Sequence, residues 1–155
     1  MKTLNVRDAR LERGLAPDEA AVRQLLDFLP VLYPDGFEWL TKRLGDVRRG
    51  DAMCVVAEHD GELVGIALGI IKPSGRFKLS TLYVSELHRR KGVGGRLLRH
   101  ALHFAEARGA SHVYITGAHT VRNELEPLLD GHGFRRVATE QDRYGAGRHE
   151  DVFVR

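Results

Sequence analysis

The sequence predicts a mixed α/β fold, a mainly antiparallel sheet flanked by helices, and three observations predict it. Strand-like apolar runs follow one another at Ala52–Glu58, Leu63–Lys72 and Phe77–Val84. The first two are joined by His59-Asp60-Gly61-Glu62, whose Asp-Gly pair is a tight-hairpin signal. A long amphipathic helix comes next, with Leu97, Leu98, Ala101, Leu102, Phe104 and Ala105 on its apolar face. The full order is strand, two helices, three strands, helix, strand, helix, two strands, which departs from the regular alternation of a doubly wound sheet.

The elements are justified in turn. Thr3 to Leu11 alternates weakly and reads as a first strand. Asp18, or Pro17 before it, opens a helical pattern over Asp18–Leu29, which Pro30 and Pro34 are expected to end. Gly36 to Arg48 forms a second helix, with Phe37, Leu40 and Leu44 at turn spacing and Trp39 on a neighbouring face. Lys72-Pro73-Ser74-Gly75 is a turn into the strand Phe77–Val84. Gly109 is suited to cap the long helix. His112–Thr116 reads as a strand and residues 121–131 as a short helix. Gly133–Thr139 and Glu150–Arg155 are closing strands on either side of the loop Gln141–His149.

The chain has 155 residues, 43% of them hydrophobic and 29% charged, so residues 1–155 are expected to form a single domain with a substantial core. The net charge of +3 is dispersed and carried by arginine, which permits a phosphorylated ligand without demanding a polyanion. The single cysteine, Cys54, lies in an apolar run and reads as a buried thiol, in keeping with a reducing compartment. The N-terminal stretch lacks the apolar segment of a signal peptide, and no run approaches the ~20 apolar residues that span a bilayer. A soluble, cytoplasmic protein with no membrane partner is expected.

The most informative stretch is His88–Leu98, HRRKGVGGRLL, which gathers four cations around three glycines and then turns apolar. It follows a strand and a short turn, so Gly92–Gly95 fall in the first turn of a helix. The N–H groups there lack intrahelical partners and sit at the positive end of the macrodipole. Phosphate oxygens suit such donors, glycine lets them approach, and Arg89, Arg90 and Lys91 add charge at the rim. A solvated charge run would show similar composition, but the strand before it and the apolar helix behind it favour a ligand. The spacing is neither the dinucleotide fingerprint nor the P-loop, which requires a Gly-Lys-Ser/Thr ending.

Val84, then Arg89-Arg90-Lys91-Gly92-Val93-Gly94-Gly95 five positions on, then Leu97-Leu98, resembles the acyl-CoA pyrophosphate-binding motif of the GNAT-type N-acetyltransferase superfamily. The Asp60-Gly61 hairpin, the later helix and Gly133-Phe134 fall in the family's order, while residues 1–50 match least. The resemblance implies an acyl-CoA N-acyltransferase-like fold and an enzyme that moves an acetyl group from acetyl-CoA to a primary amine by direct attack. It places the co-substrate on Leu82, Tyr83, Val84, Arg89, Arg90, Lys91, Gly92, Val93, Gly94 and Gly95, with no metal. A backbone N–H around Leu82–Val84 would meet the thioester carbonyl, made available by a strand bulge and by the splay between Phe77–Val84 and His112–Thr116.

Acyl transfer also needs the amine deprotonated and the thiolate protonated. Many relatives carry a glutamate where this chain has Ser80, which can orient a water. His119 carries an imidazole, a side chain suited to general-base work, and is the alternative base, although it also suits the border of the next helix. Tyr83 is a candidate to hydrogen-bond the acceptor, with half-buried packing on its strand as the other reading. Relatives commonly carry a tyrosine five residues before the phenylalanine of Gly-Phe; here that place is Leu129, beside Leu128, and the asparagine seven residues earlier falls at Arg122, with Asn123 one place off. A thiolate of solution pKa about 8.5 is a tolerable leaving group without that acid.

The aromatic residues Phe28, Tyr33, Phe37 and Trp39 either line an acceptor mouth for a bulky or cationic amine or fill the core beneath the sheet. Glu140, Asp142 and Tyr144 in the late loop are further candidates to meet a cation. The acceptor is expected to be a small-molecule or peptide amine, and a homodimer is compatible with the sequence. Two other functions compete: a non-catalytic acyl-CoA-binding regulatory domain, motivated by Ser80 and Leu129, and nucleic-acid binding, disfavoured because the basic run lacks interleaved aromatics.

Overall fold

Alternation along one strand decides the layering. Met53, Val55 and Ala57 enter one apolar cluster and Cys54 and Val56 another, so the strand is buried on both faces and needs a helical layer on each. The structure, a computed structural model, describes residues 4–8 and 18–155 and supplies both layers. Its strands are β1 (Leu4–Asp8), β2 (Met53–His59), β3 (Glu62–Ile71), β4 (Phe77–Val84), β5 (Val113–Ala118), β6 (Arg135–Glu140) and β7 (Glu150–Val154). Its helices are α1 (Glu19–Leu25), α2 (Leu29–Leu32), α3 (Gly36–Arg48), α4 (Val93–Ala107) and α5 (Arg122–Asp130). Seven strands form one sheet in the order β1-β2-β3-β4-β5-β7-β6, with every neighbouring pair antiparallel except β4 and β5. Among the described residues, no helix is long and apolar enough to cross a membrane.

Helix α4 covers one face through Val93, Leu97, Leu98, Ala101 and Ala105, joined there by Leu129 of α5. Each such buried leucine stabilises the fold by about 1.5–3 kcal/mol. Helices α1–α3 cover the opposite face through Val22, Leu26, Leu29, Leu40, Leu44 and Val47. The β2–β3 turn takes φ of 52° at Asp60 and 81° at Gly61, as the Asp-Gly pair predicts. Gly109, at φ 69°, follows the last residue of α4's C-terminal cap, also as predicted.

The first strand is present over Leu4–Asp8, and Thr3 and residues 9–11 lie outside the described residues. One expectation needs correction. The helix expected over Asp18–Leu29 ends at Leu25, and Pro30 opens a new helix instead of ending the old one. The α1 ladder closes with the Leu26 N–H on the Val22 carbonyl, the Leu26 carbonyl is taken by the Leu29 N–H at 3.1 Å, and Pro30, whose fixed φ suits a first helical turn, stands at the start of α2. That short helix then lies against α3, where a Cβ on Gly36 would come within 2.7 Å of the Leu29 backbone. The break turns the chain sharply and brings Phe28 and Tyr33 toward the sheet.

Candidate active site

The site starts from a failure of pairing. Strands β4 and β5 run parallel and hydrogen-bond only from Phe77–Leu79 to Val113–Ile115, after which they separate. Beyond that point β4 still pairs with β3, and β5 with β7, so the facing edges of Ser80–Val84 and Thr116–Ala118 retain donors and acceptors directed at one another across a gap. The gap is a cleft of about 730 Å³. Its walls are those two strand edges, Phe28–Leu29 and Leu32–Tyr33 from one face of the sheet, Arg89, Arg90, Gly92, Gly94 and Gly95 from the other, and α5. The cleft therefore passes through the sheet.

The bulge expected in β4 is present, and it sits at Ser80: Leu68 pairs with Thr81 and Gly69 with Leu79, leaving Ser80 between them. The Ser80 hydroxyl oxygen is buried in the cleft wall without a hydrogen-bond partner among the described residues. Leu82 and Val84 pack toward the α4 face and Tyr83 toward the α1–α3 face, where its ring lies 4.7 Å from that of Phe28.

The glycine-rich turn has the geometry the sequence predicts. Gly92 is the N-terminal cap of α4 at φ 81°, with open space where a side chain would be. The helical ladder begins with the Arg96 N–H to the Gly92 carbonyl at 3.1 Å, so the N–H groups before it lie outside the ladder. A Cβ on Gly94 would approach Leu128 to 3.3 Å and Val84 to 3.8 Å, so glycine lets α4, α5 and β4 converge at the cleft. Val93 is buried and anchors the helix from beneath. The charged rim divides its work: Arg90 lines the cleft, Lys91 is exposed and outside the lining, and Arg89 folds back. Arg89 donates Nε–H to the Val84 carbonyl at 2.9 Å, lies 3.4 Å from Glu124 and sits over the Tyr83 ring at 5.4 Å. It thereby fixes the end of β4 to the start of α4.

Helix α5 separates the two leucines. Leu129, counted as the usual tyrosine place, is fully buried in the core, whereas its neighbour Leu128 lines the cleft. Neither leucine can donate a proton. Arg122 turns away from the cleft to hold the buried Asp151 with two bonds of 2.7 Å, while Asn123 lines it. These bonds hold the Asp151 carboxyl below the usual carboxylate range. Pro127 lacks the N–H that would occupy the Asn123 carbonyl within the helix. His119 does not line the cleft: its Nδ1 lies 3.4 Å from the His149 carbonyl, and the two rings stack at 4.9 Å.

Tyr33 and Glu150 were not joined by sequence reasoning. Tyr33 lines the cleft and donates its hydroxyl to Glu150 at 3.2 Å across 117 residues of chain. Burial first, and then the Glu150 charge, push the Tyr33 phenol above its ordinary range, and burial pushes the Glu150 carboxyl upward as well.

A sheet opened between two parallel strands, with a glycine-rich helix start at one mouth and aromatic residues at the other, is the arrangement that the resemblance to acyl-CoA-dependent acetyltransferases implies. The chain belongs to the GNAT acetyltransferase family, whose profile matches residues 19–134. It is 35% identical over 84 residues to streptothricin acetyltransferase of Streptomyces lavendulae, a stretch covering 54% of this chain and 41% of that relative. Solved structures agree on the fold. A GNAT-family protein from Desulfovibrio desulfuricans superposes with a TM-score of 0.80 at 17% identity, over 99% of this chain and 98% of the other. An aminoglycoside 6'-N-acetyltransferase complexed with coenzyme A gives 0.71 at 16% identity, over 97% and 96%.

Proposed function

We propose that this protein transfers the acetyl group of acetyl-CoA to the amine of a small molecule. The cleft between β4 and β5 carries the proposal, because it joins an anion-ready helix start to a chamber on the opposite face. Three features fit acetyl-CoA, the family's acetyl donor. The strand edges at Leu82–Val84 offer backbone donors and acceptors to an amide-bearing arm, and the first turn of α4 at Gly92, Val93, Gly94 and Gly95 faces pyrophosphate with Arg90 beside it. The third is the Ser80 hydroxyl, which lacks a partner that a ligand or its water would supply. Lys91 adds long-range attraction, and Arg89 keeps the cradle in shape.

In this reading the amine nitrogen attacks the thioester carbonyl, the C–S bond breaks and the thiolate leaves with the electron pair. Tyr83 borders the acceptor chamber and is assigned a hydrogen bond to the acceptor; Ser80 is assigned to a water. His119, turned to the His149 carbonyl, receives no proton-transfer role. With leucine at the tyrosine place, the thiolate takes its proton from solvent. Streptothricin and aminoglycosides are the first acceptors to offer, since relatives bear those names.

Calorimetric titration with acetyl-CoA, followed by thiol release with streptothricin, an aminoglycoside and simple alkylamines, tests the proposal. Binding together with thiol release above background is expected for at least one amine. Absence of acetyl-CoA binding overturns the proposal; tight binding with background thiol release for every amine supports a regulatory acyl-CoA-binding domain instead.

A further inference from the structure

Behind Tyr33, at the wall of the cleft, lies a buried carboxylate that makes no ion pair with a lysine or arginine among the described residues. Glu150 opens β7 opposite Ala118 of β5 and Glu140 of β6, and it is 2% exposed. A carboxylate so placed requires a hydrogen-bond donor, and Tyr33, the C-terminal cap of α2, provides it. The Tyr33 proton points to Glu150, so toward any other neighbour the phenolic oxygen presents lone pairs. The pair is held on further sides. The Tyr144 ring meets Tyr33 edge-on at 4.7 Å, and Arg148 donates to the Val31 and Leu32 carbonyls at 3.2 and 3.1 Å, fastening the β6–β7 loop to α2.

The surrounding charges leave the carboxylate available. Tyr33 faces it from α2, Arg143 from the β6–β7 loop, Glu140 from β6, Asp151 from β7 and Lys78 from β4, while Tyr144 faces Tyr33. Arg143 is engaged by Glu140, and Asp151 by Arg122 and Thr139. Among the described residues, no lysine or arginine makes an ion pair with Glu150. A negative site reached through a phenol at the wall of the cleft suits an ammonium group.

We propose that Tyr33 and Glu150 form a two-residue relay that docks the acceptor as an alkylammonium ion and removes its first proton. The inference rests on the acetyl-transfer reading and gives that reaction its acceptor class and its base. One ammonium proton passes to the Tyr33 oxygen as the Tyr33 proton passes to Glu150, so the phenol ends unchanged and the carboxylate ends protonated. The freed nitrogen lone pair forms the C–N bond as the carbonyl π electrons move to oxygen. They return as the C–S bond breaks, and the second nitrogen proton is lost to solvent, which protonates the thiolate. Tyr33 is the residue that touches the acceptor; Glu150 is a positioning residue that acts through it. The upward displacement of both groups serves the relay, since the phenol stays neutral while the carboxylate is a stronger base than an exposed one.

The test uses the intact protein, acetyl-CoA, and streptothricin or 1,5-diaminopentane, whichever the wild type acetylates faster. Glu150→Gln and Tyr33→Phe are compared with wild type in kcat/KM from pH 5 to 9, in acetyl-CoA affinity and in Tm. In wild type, kcat/KM falls as pH drops through the Glu150 titration, at a pH above the ordinary carboxylate range. Both variants are expected to lose about 100-fold in kcat/KM at pH 7, and Glu150→Gln to lose that acid limb, with acetyl-CoA affinity unchanged. Should Glu150→Gln fail to fold, Tyr33→Phe alone decides through the same rate loss. A loss under about three-fold in a folded variant, or an acid limb unchanged in Glu150→Gln, overturns the relay. A wild type that binds no acetyl-CoA overturns the acetyl-transfer reading and the relay together, whereas an active wild type with unimpaired variants overturns the relay alone.

Discussion

The two mouths of the cleft are built from different materials. On the α4 face the walls are backbone: the strand edge at Leu82–Val84 and the helix start at Gly92–Gly95, all within fourteen consecutive positions of chain. On the α1–α3 face they are side chains, with Tyr33 and Glu150 meeting from 117 positions apart. A site made of peptide groups needs a local conformation, which glycines and a preceding strand specify. A site made of side chains needs a completed fold, so a donor pocket can be shared widely while the acceptor pocket differs from one chain to the next.

That contrast can be broken experimentally, most severely at Gly94. Gly94→Val places branched carbons between α4, Leu128 and Val84, and the dissociation constant for acetyl-CoA should rise about 100-fold, some 2.7 kcal/mol, in a calorimetric titration. An affinity close to wild type would remove the pyrophosphate from this turn.

The next largest effect is expected where the two mouths are joined. Arg122 of α5 holds Asp151 of β7, whose side chain is 1% exposed, so Arg122→Ala strands a buried carboxylate. Thermal melts at pH 7 should show Tm lower by several degrees. The partner depresses the Asp151 pKa in the folded state, so its stabilisation is present above the unfolded value of about 3.9 and is lost as pH falls through the folded one. The Tm difference between wild type and Arg122→Ala should therefore close in acid; a gap constant from pH 7 to pH 2 would refute the ion-pair explanation.

Ser80→Ala sharpens the comparison from the donor side. The hydroxyl has no partner within the described protein, so its removal should leave stability unchanged or raise it by up to about 1 kcal/mol. Turnover should nonetheless fall roughly 3- to 10-fold if a bound water or ligand uses it. The smallest effect belongs to His119→Ala, for which kcat/KM and its pH profile should match wild type, since the imidazole lies outside the cleft lining.

What the sequence made legible follows the same division. The Asp60-Gly61 turn, the α4 stripe and the glycine-rich helix start are local patterns, and each stands where the pattern puts it. Pro30 was misjudged because a proline that cannot continue one helix is well suited to open another, and only tertiary contact between Gly36 and Leu29 shows which applies. A count along the chain picks out Leu129 but carries no record of which side chain of α5 faces the cleft, and that one is Leu128. Glu150 left no mark at all. It begins an ordinary strand pattern, and its burial arises from β5, β6 and the Tyr33 side chain converging on it.

The strand order β5-β7-β6 has a consequence in time. Strand β6 is made before β7 but touches the sheet only through it, because β7 takes the place beside β5. Until β7 is threaded in, residues 135–140 have no edge to join and the β5 edge stands open. Strand β6 can therefore join the sheet only with or after β7, the strand that carries Glu150. Glu150 is accordingly made after the whole of the wall that β4 and the start of α4 supply.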